Sequence, residues 1–186
     1  MPEEQASERR PLSGPGKDYR AKMHHEARLF TRRLKGAGYP EPLGDPASGI
    51  MIVVGQPVGP RVVNALERSL EAITLPDAYV TWSNPSLLME EILSLQPSVL
   101  VSIGPEAARD IDSLNYPLLQ QDFSNSTTGQ FFPWTGTTTG LAIPALAPAL
   151  DDEGAKKRFW HAFLTLQRVS QTRPKPTKAE RPLQGQ

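Results

Sequence analysis

Few residues in this chain have the type and spacing that chemistry needs. His24 and His25 are adjacent, and the third histidine, His161, stands far away. Neighbouring side chains on a helix do not face each other. A metal centre needs three or four ligands at recurring spacings, so this pattern argues against one. Ser102, Ser124 and Ser126 lack the G-x-S-x-G elbow that would expose a hydrolase nucleophile. The loop "GQPVGP" at 55–60 is neither G-x-G-x-x-G nor a loop ending in G-K-[ST], so dinucleotide and P-loop readings fall. It carries no carboxylate, histidine or lysine. What it can offer a ligand is backbone and the amide of Gln56. Trp82 and Trp134 could stack on a base, although packing in a core or at a rim is the plainer use of a tryptophan. Arg20, Arg28, Arg32, Arg33 and Lys35 form a basic set on the first helix. They could grip phosphates or a partner protein, against the plainer reading of a solvated face.

The bulk properties narrow the classes further. A chain of 186 residues accommodates one domain with a substantial core, plus tails. It has no cysteine, which excludes disulfides, iron–sulfur clusters and thiolate zinc sites and fits a cytoplasmic protein. No apolar run approaches the roughly 20 residues of a membrane span, and "MPEEQASERR" has no apolar core of a secretory signal. Net charge is zero but segregated: +4 over residues 1–35, −8 over 36–150 and +4 over 151–186. An acidic middle does not suit a broad DNA-binding surface, so any DNA contact is expected to be weak and to run through the basic ends. Both ends are polar and rich in proline and glycine. They bury too little apolar surface to offset their ordering entropy. Residues 1–16 and 171–186 are expected to be disordered tails around a single domain at 17–170.

The elements that must position any site alternate along the chain. "KDYRAKMHHEARLFTRRLKGAG" reads as a helix ending at Gly36, with Ala27, Phe30 and Leu34 on one face. "GIMIVV" is a central strand. "RVVNALERSLEAI" stacks Val62, Leu66, Leu70 and Ile73 on a helical face. "AYVTW" is a second strand. "NPSLLMEEILSL" is a helix with Asn84 to cap it, Pro85 at its first position and Leu88, Ile92 and Leu95 inward. "SVLVSI" is a third strand. "GPEAARDIDSL" is a helix with Glu106 in its first turn, and "GLAIPAL" is a fourth strand. "DDEGAKKRFWHAFLTLQ" is a last helix with an acidic start, burying Ala155, Phe159, Phe163 and Leu166. The segment "NYPLLQQDFSNSTTGQFFPWTGTTT" reads as an irregular excursion or a β-hairpin. This order predicts a three-layer α/β/α sandwich on a four-stranded parallel sheet with right-handed crossovers. Its ligand loops are those leaving the carboxyl ends of the strands, at 55–60, 82–86, 104–106 and 145–152.

The same pieces, in the same order, resemble the uracil-DNA glycosylase superfamily, nearest its iron–sulfur, family 4-like branch. "MIVVGQPVG" is similar to a strand entering a "GEAPG"-type loop, and "YVTW" to a strand ending "YITN". "LQPSVLVSIGPEAA" is similar to "LRPKVILALGRFAA", and "PALAPAL" to a "PTYHPAAL"-type loop. The resemblance spans residues 48–168. It implies a ligand site built from Gly55, Gln56, Gly59, Trp82, Asn84, Gly104 and Pro148, and a role linked to DNA or its repair. It also implies that the family's working groups are gone. Gln56, or Pro57 in another register, stands where the family positions its attacking water, and neither can act as a base. Trp82 replaces the asparagine that bonds the extruded base. Ala147, before Pro148, replaces the histidine that stabilises the departing base. The cluster cysteines are absent too. An alternative register aligns "GQPVGPRVVNAL" with the family's downstream "GRPFVGPAGQLL" and deletes the water loop.

Loss of one such donor costs about 10²–10³ in rate. The leading expectation is therefore a non-catalytic binding or accessory domain, with no cofactor and no metal. Two alternatives stay open. One is a divergent DNA glycosylase working through Asp122 or Glu106. The other is a nucleobase- or nucleotide-binding protein. The exchange of asparagine for tryptophan adds bulk where a base would enter, so the site is expected to be filled, by the Trp82 indole or by Phe132 and Trp134.

Overall fold

The computed structural model describes residues 15–56 and 58–172. The expected tails and Pro57 lie outside these residues, except that residues 15–16 open the first helix and 171–172 close the last. The chain runs α1 (Pro15–Gly36), β1 (Ile50–Val54), α2 (Pro60–Ala72), β2 (Tyr79–Trp82), α3 (Leu88–Leu95), β3 (Val99–Ile103), α4 (Pro105–Asp112), β4 (Phe131–Pro133), β5 (Thr139–Ile143), α5 (Leu146–Ala149), α6 (Glu153–Leu164) and α7 (Gln167–Thr172).

The four expected strands form as β1, β2, β3 and β5, all parallel. The sheet itself has five strands, in the order β2-β1-β3-β5-β4, and is mixed. The added strand, β4, comes from the excursion and pairs antiparallel with β5. Its hairpin is not visible as alternation in the sequence, because Phe131, Phe132 and Pro133 are too few to show a period. Register supplies the reason it forms: Phe132 lies opposite Gly140, and its ring occupies the space a side chain there would need.

Connection handedness dictates the layers. The step from β1 to β2 moves one way across the sheet, and the steps from β2 to β3 and on to β5 move the other way. Right-handed crossovers then put α2 on one face and α3 and α4 on the opposite face. Strand alternation agrees. Ile50, Ile52, Val54, Val80, Trp82, Val101 and Ile103 pack with Leu66, Leu70, Phe159 and Phe163 under α2 and α6. Met51, Val53, Tyr79 and Leu100 pack with Met23, Leu88, Ile92 and Ile111 under α1, α3 and α4. Burying each large aliphatic side chain contributes about 1.5–3 kcal/mol, so these two seams hold the three layers together.

Two local expectations need correction. Asn84 does not cap α3, which begins only at Leu88. Its side-chain oxygen instead accepts from the Ser86 amide at 3.0 Å and the Ser86 hydroxyl at 2.7 Å, closing an Asx turn. The last helix, expected over 151–167, starts at Glu153 behind the N-cap Asp152, whose side chain accepts from the Ala155 amide at 2.6 Å, and α6 ends at Leu164 before the short α7; α5 forms in the loop ahead of it. The outer side of β2 is met by Leu43, which exchanges two backbone hydrogen bonds of 2.9 Å with Val80. Among the described residues, no helix is long and apolar enough to cross a membrane.

Candidate functional site

Strand order reverses between β1 and β3, and a crevice opens at the carboxyl ends of strands at such a point. Here it is a cleft of about 270 Å³. Gly55 and Gln56 enter from β1, Gly104 and Glu106 from β3 and α4, and Ala145 and Ala147 from the segment after β5. Val54, Val62, Ile103 and Leu146 make its walls apolar.

Two glycines permit this convergence. Gly104 has φ of +93°, a conformation that side chains rarely adopt, and it turns β3 directly into α4. A Cβ on Gly55 would sit 3.3 Å from the Glu106 Cβ and 3.5 Å from the Ala107 nitrogen. The β1 loop therefore lies against the first turn of α4. That helix starts with no side-chain cap and with Pro105 at its beginning, so the first-turn N–H groups of Glu106 and Ala107 have no partner within the helix.

The structure brings Gly55, Gln56, Gly104 and Ala147 together and leaves the other expected site residues out. Trp82 does not line the cleft. It is fully buried beside Val80 on the α2 face of the sheet, where the two-residue period of β2 sends it. Phe132 and Trp134 lie in the core on the opposite face. The expected filling of the site by these rings is thus corrected: the cleft is open, and all three rings are core. Asn84 is buried in its turn, Gly59 is the N-cap of α2, and Pro148 is exposed on α5.

The electrostatics are spare. Among the described residues, Glu106, exposed, is the only ionisable residue lining the cleft. Asp122 accepts from the Asn125 amide at 3.3 Å and stands elsewhere. Among the described residues, no three of His, Cys, Asp and Glu gather as a metal set. His24 instead meets Asp45 at 3.2 Å.

The polar atoms carry the clearest signal. Five buried side-chain atoms among the described residues have no hydrogen-bond partner: Gln56 Nε2, Trp82 Nε1, Asn84 Nδ2, Ser102 Oγ and Trp134 Nε1. The first four lie at or next to the carboxyl ends of β1, β2 and β3. A buried polar group left unpaired costs about 1–3 kcal/mol, so this edge of the sheet carries a concentrated cost.

The basic set on α1 is less free than its sequence suggests. Arg20 pairs with Asp45 at 3.3 Å and Arg33 with Glu90 at 2.5 Å. Arg28 donates to the His24 carbonyl at 3.3 Å. Arg32 and Lys35 are exposed. The Glu90 bond raises the Arg33 pKa, and Arg33 holds the Glu90 carboxyl below its ordinary range.

One buried cluster escaped sequence reasoning. Glu91 is 1% exposed, and accepts from the Tyr79 hydroxyl at 2.6 Å and the Thr81 hydroxyl at 3.1 Å. Burial pushes its carboxyl up to about 6, against the pull of those two hydrogen bonds. Burial, and then the adjacent carboxylate, raise the Tyr79 phenol far above its ordinary range. The clue was available: Glu91 falls between Leu88 and Ile92 on the inward stripe of α3.

No protein-family model matches this chain, and no curated protein does.

Proposed function

We propose that this chain is a non-catalytic domain of uracil-DNA glycosylase-like type that binds a small planar ligand of the nucleobase class in the cleft between β1, β3 and β5. The observation that carries the reading is the cleft itself. It stands at the strand-order reversal, its walls are apolar, and its polar elements are the Gln56 amide, the first turn of α4 and Glu106. Apolar walls with a few convergent polar groups are what a flat heterocycle needs. Gln56 can donate and accept at once, as the edge of a base requires, and its amide nitrogen has no partner among the described residues.

The lack of chemistry supports binding over cleavage. Base release needs charge stabilised on both the sugar and the departing base. Beyond Glu106, no ionisable group among the described residues lines the cleft to share that task. Free bases suit it better than DNA, because the exposed Glu106 carboxylate repels a phosphate backbone. DNA contact is weak and runs through Arg28, Arg32 and Lys35 of α1, with a salt dependence of about 0.9 in log K per duplex phosphate neutralised.

Thermal denaturation with uracil, hypoxanthine, xanthine and adenine tests the reading. A ligand present at about 100 times its Kd stabilises by about 2.7 kcal/mol, or roughly 5–10 °C for a domain of this size. Gln56→Ala should remove most of that gain. Absence of stabilisation by all four bases overturns the proposal. A second reading, a divergent glycosylase, rests on Glu106 as the one carboxylate in the cleft. Abasic sites formed in uracil- or hypoxanthine-containing DNA, and lost in Glu106→Gln, would establish it instead.

A further inference from the structure

On the other face of β3 lies a second groove, of about 370 Å³, between α4 and the excursion. Its floor includes Ser102, its α4 wall includes Ala108 and Arg109, and its far wall includes Ser124, Ser126 and Thr128. We infer that this groove is a binding site for a small oxyanion, a phosphate ester or a carboxylate, which Arg109 holds from the rim and the Ser102 hydroxyl holds from within.

The walls are built by specific bonds. Asp112, at the end of α4, accepts from the Phe123 amide at 2.8 Å, the Ser124 amide at 3.0 Å and the Ser124 hydroxyl. The Ser126 hydroxyl donates to the Phe123 carbonyl at 2.6 Å. The far wall is therefore pinned to α4 in the unliganded chain, which lowers the ordering cost of binding. These bonds also occupy Asp112, and Asp110 is occupied by the Ser83 hydroxyl. Among the described residues, no carboxylate lines the groove.

What remains points to an anion. Arg109 is exposed and has no carboxylate partner among the described residues. A guanidinium offers five donors and no acceptor, in a fork that matches an oxyanion. Ser102 is 1% exposed, lines the groove, and has a hydroxyl with no partner among the described residues. An unsatisfied hydroxyl in the core of a strand is a cost that a valine or alanine would avoid. It lines the same groove as Arg109, which gives it a use.

The test uses the full chain, isotopically labelled, titrated with inorganic phosphate and separately with acetate, with chloride holding ionic strength constant. Amide resonances of residues 108–109 and 124–128 should shift and saturate. Phosphate saturating at lower concentration than acetate identifies a phosphate ester site, and the reverse order a carboxylate site. Arg109→Gln should weaken the better anion by about tenfold or more, and Arg109→Lys by less. Ser102→Ala should weaken it severalfold while leaving the melting temperature equal or higher. A hydroxyl with a merely structural role would give the opposite pattern. Gln56→Ala should not alter the titration, which separates this site from the nucleobase cleft. Shifts confined to Arg28, Arg32 and Lys35, shifts that do not saturate, or an Arg109→Gln protein with unchanged affinity would each overturn the assignment.

Discussion

Two sets of buried polar side chains sit on the same sheet and differ in one respect. In the Tyr79–Thr81–Glu91 cluster both carboxylate oxygens of Glu91 are met by hydroxyls. At the carboxyl edge, Gln56, Asn84 and Ser102 each keep a buried polar atom unmet. The first set joins α3 to β2 and lines none of the clefts at the carboxyl edge. In the second set, Gln56 and Ser102 each line a cleft. Satisfied polar groups in a core specify how elements dock, whereas unsatisfied ones beside a cavity mark where a partner's atoms belong. The contrast separates structural residues from candidate binding residues without any catalytic motif.

The largest effect should come from breaking the satisfied set. Glu91→Ala leaves the Tyr79 and Thr81 hydroxyls unpaired and opens a cavity under α3. It should cost about 3 kcal/mol in denaturant unfolding. A loss below about 1 kcal/mol would mean that the cluster relaxes freely, and the contrast would lose one side.

The next effect concerns pH. The folded-state carboxyl of Glu91 is raised from 4.5 to about 6, so folding favours its protonated form. Its contribution is fully present below the unfolded value near 4.5 and is lost as pH rises through about 6. The amount is about 2 kcal/mol. Stability measured against pH for the wild type and Glu91→Gln should show the difference between them changing across that window in favour of the glutamine variant. Parallel curves would place the Glu91 carboxyl at its ordinary pKa.

The smallest effect should come from the unsatisfied set. Gln56→Ala removes an unpartnered amide and should change stability by no more than about 0.5 kcal/mol, in either direction. A loss above about 2 kcal/mol would make Gln56 a structural residue and remove the contrast from the other side.

The fold was legible where periodicity is strong. "IMIVV" and "VLVSI" are fully buried runs and could be read as central strands, and each was placed within a residue of its observed limits. The helical stripe of Val62, Leu66 and Leu70 was equally plain. Residues 115–138 were not, because they are held by cross-chain contacts such as Phe132 against Gly140 and Asp112 against the Phe123 amide. Most of the cleft followed from loop positions alone, since its residues 55–56, 104–106 and 145–147 leave the carboxyl ends of strands. The motif position of Trp82 points to the cleft, but the alternation of β2 sends it into the core with Val80. Ser102 gave no signal as a ligand residue: in "SVLVSI" it reads as one more member of a buried strand.

The pairing of Leu43 with Val80 has a consequence for how copies of this chain meet. A sheet ends in a row of backbone donors and acceptors, and such a row is a template on which another chain can add a strand. Leu43 takes up both hydrogen-bonding groups of Val80 in the middle of the four-residue β2. At the opposite margin β4 is three residues long and ends in Pro133, which has no N–H to offer. Neither margin presents an uninterrupted ladder. Among the described residues, both margins of the sheet are therefore poor templates for growth by strand addition, despite the apolar character of its central strands.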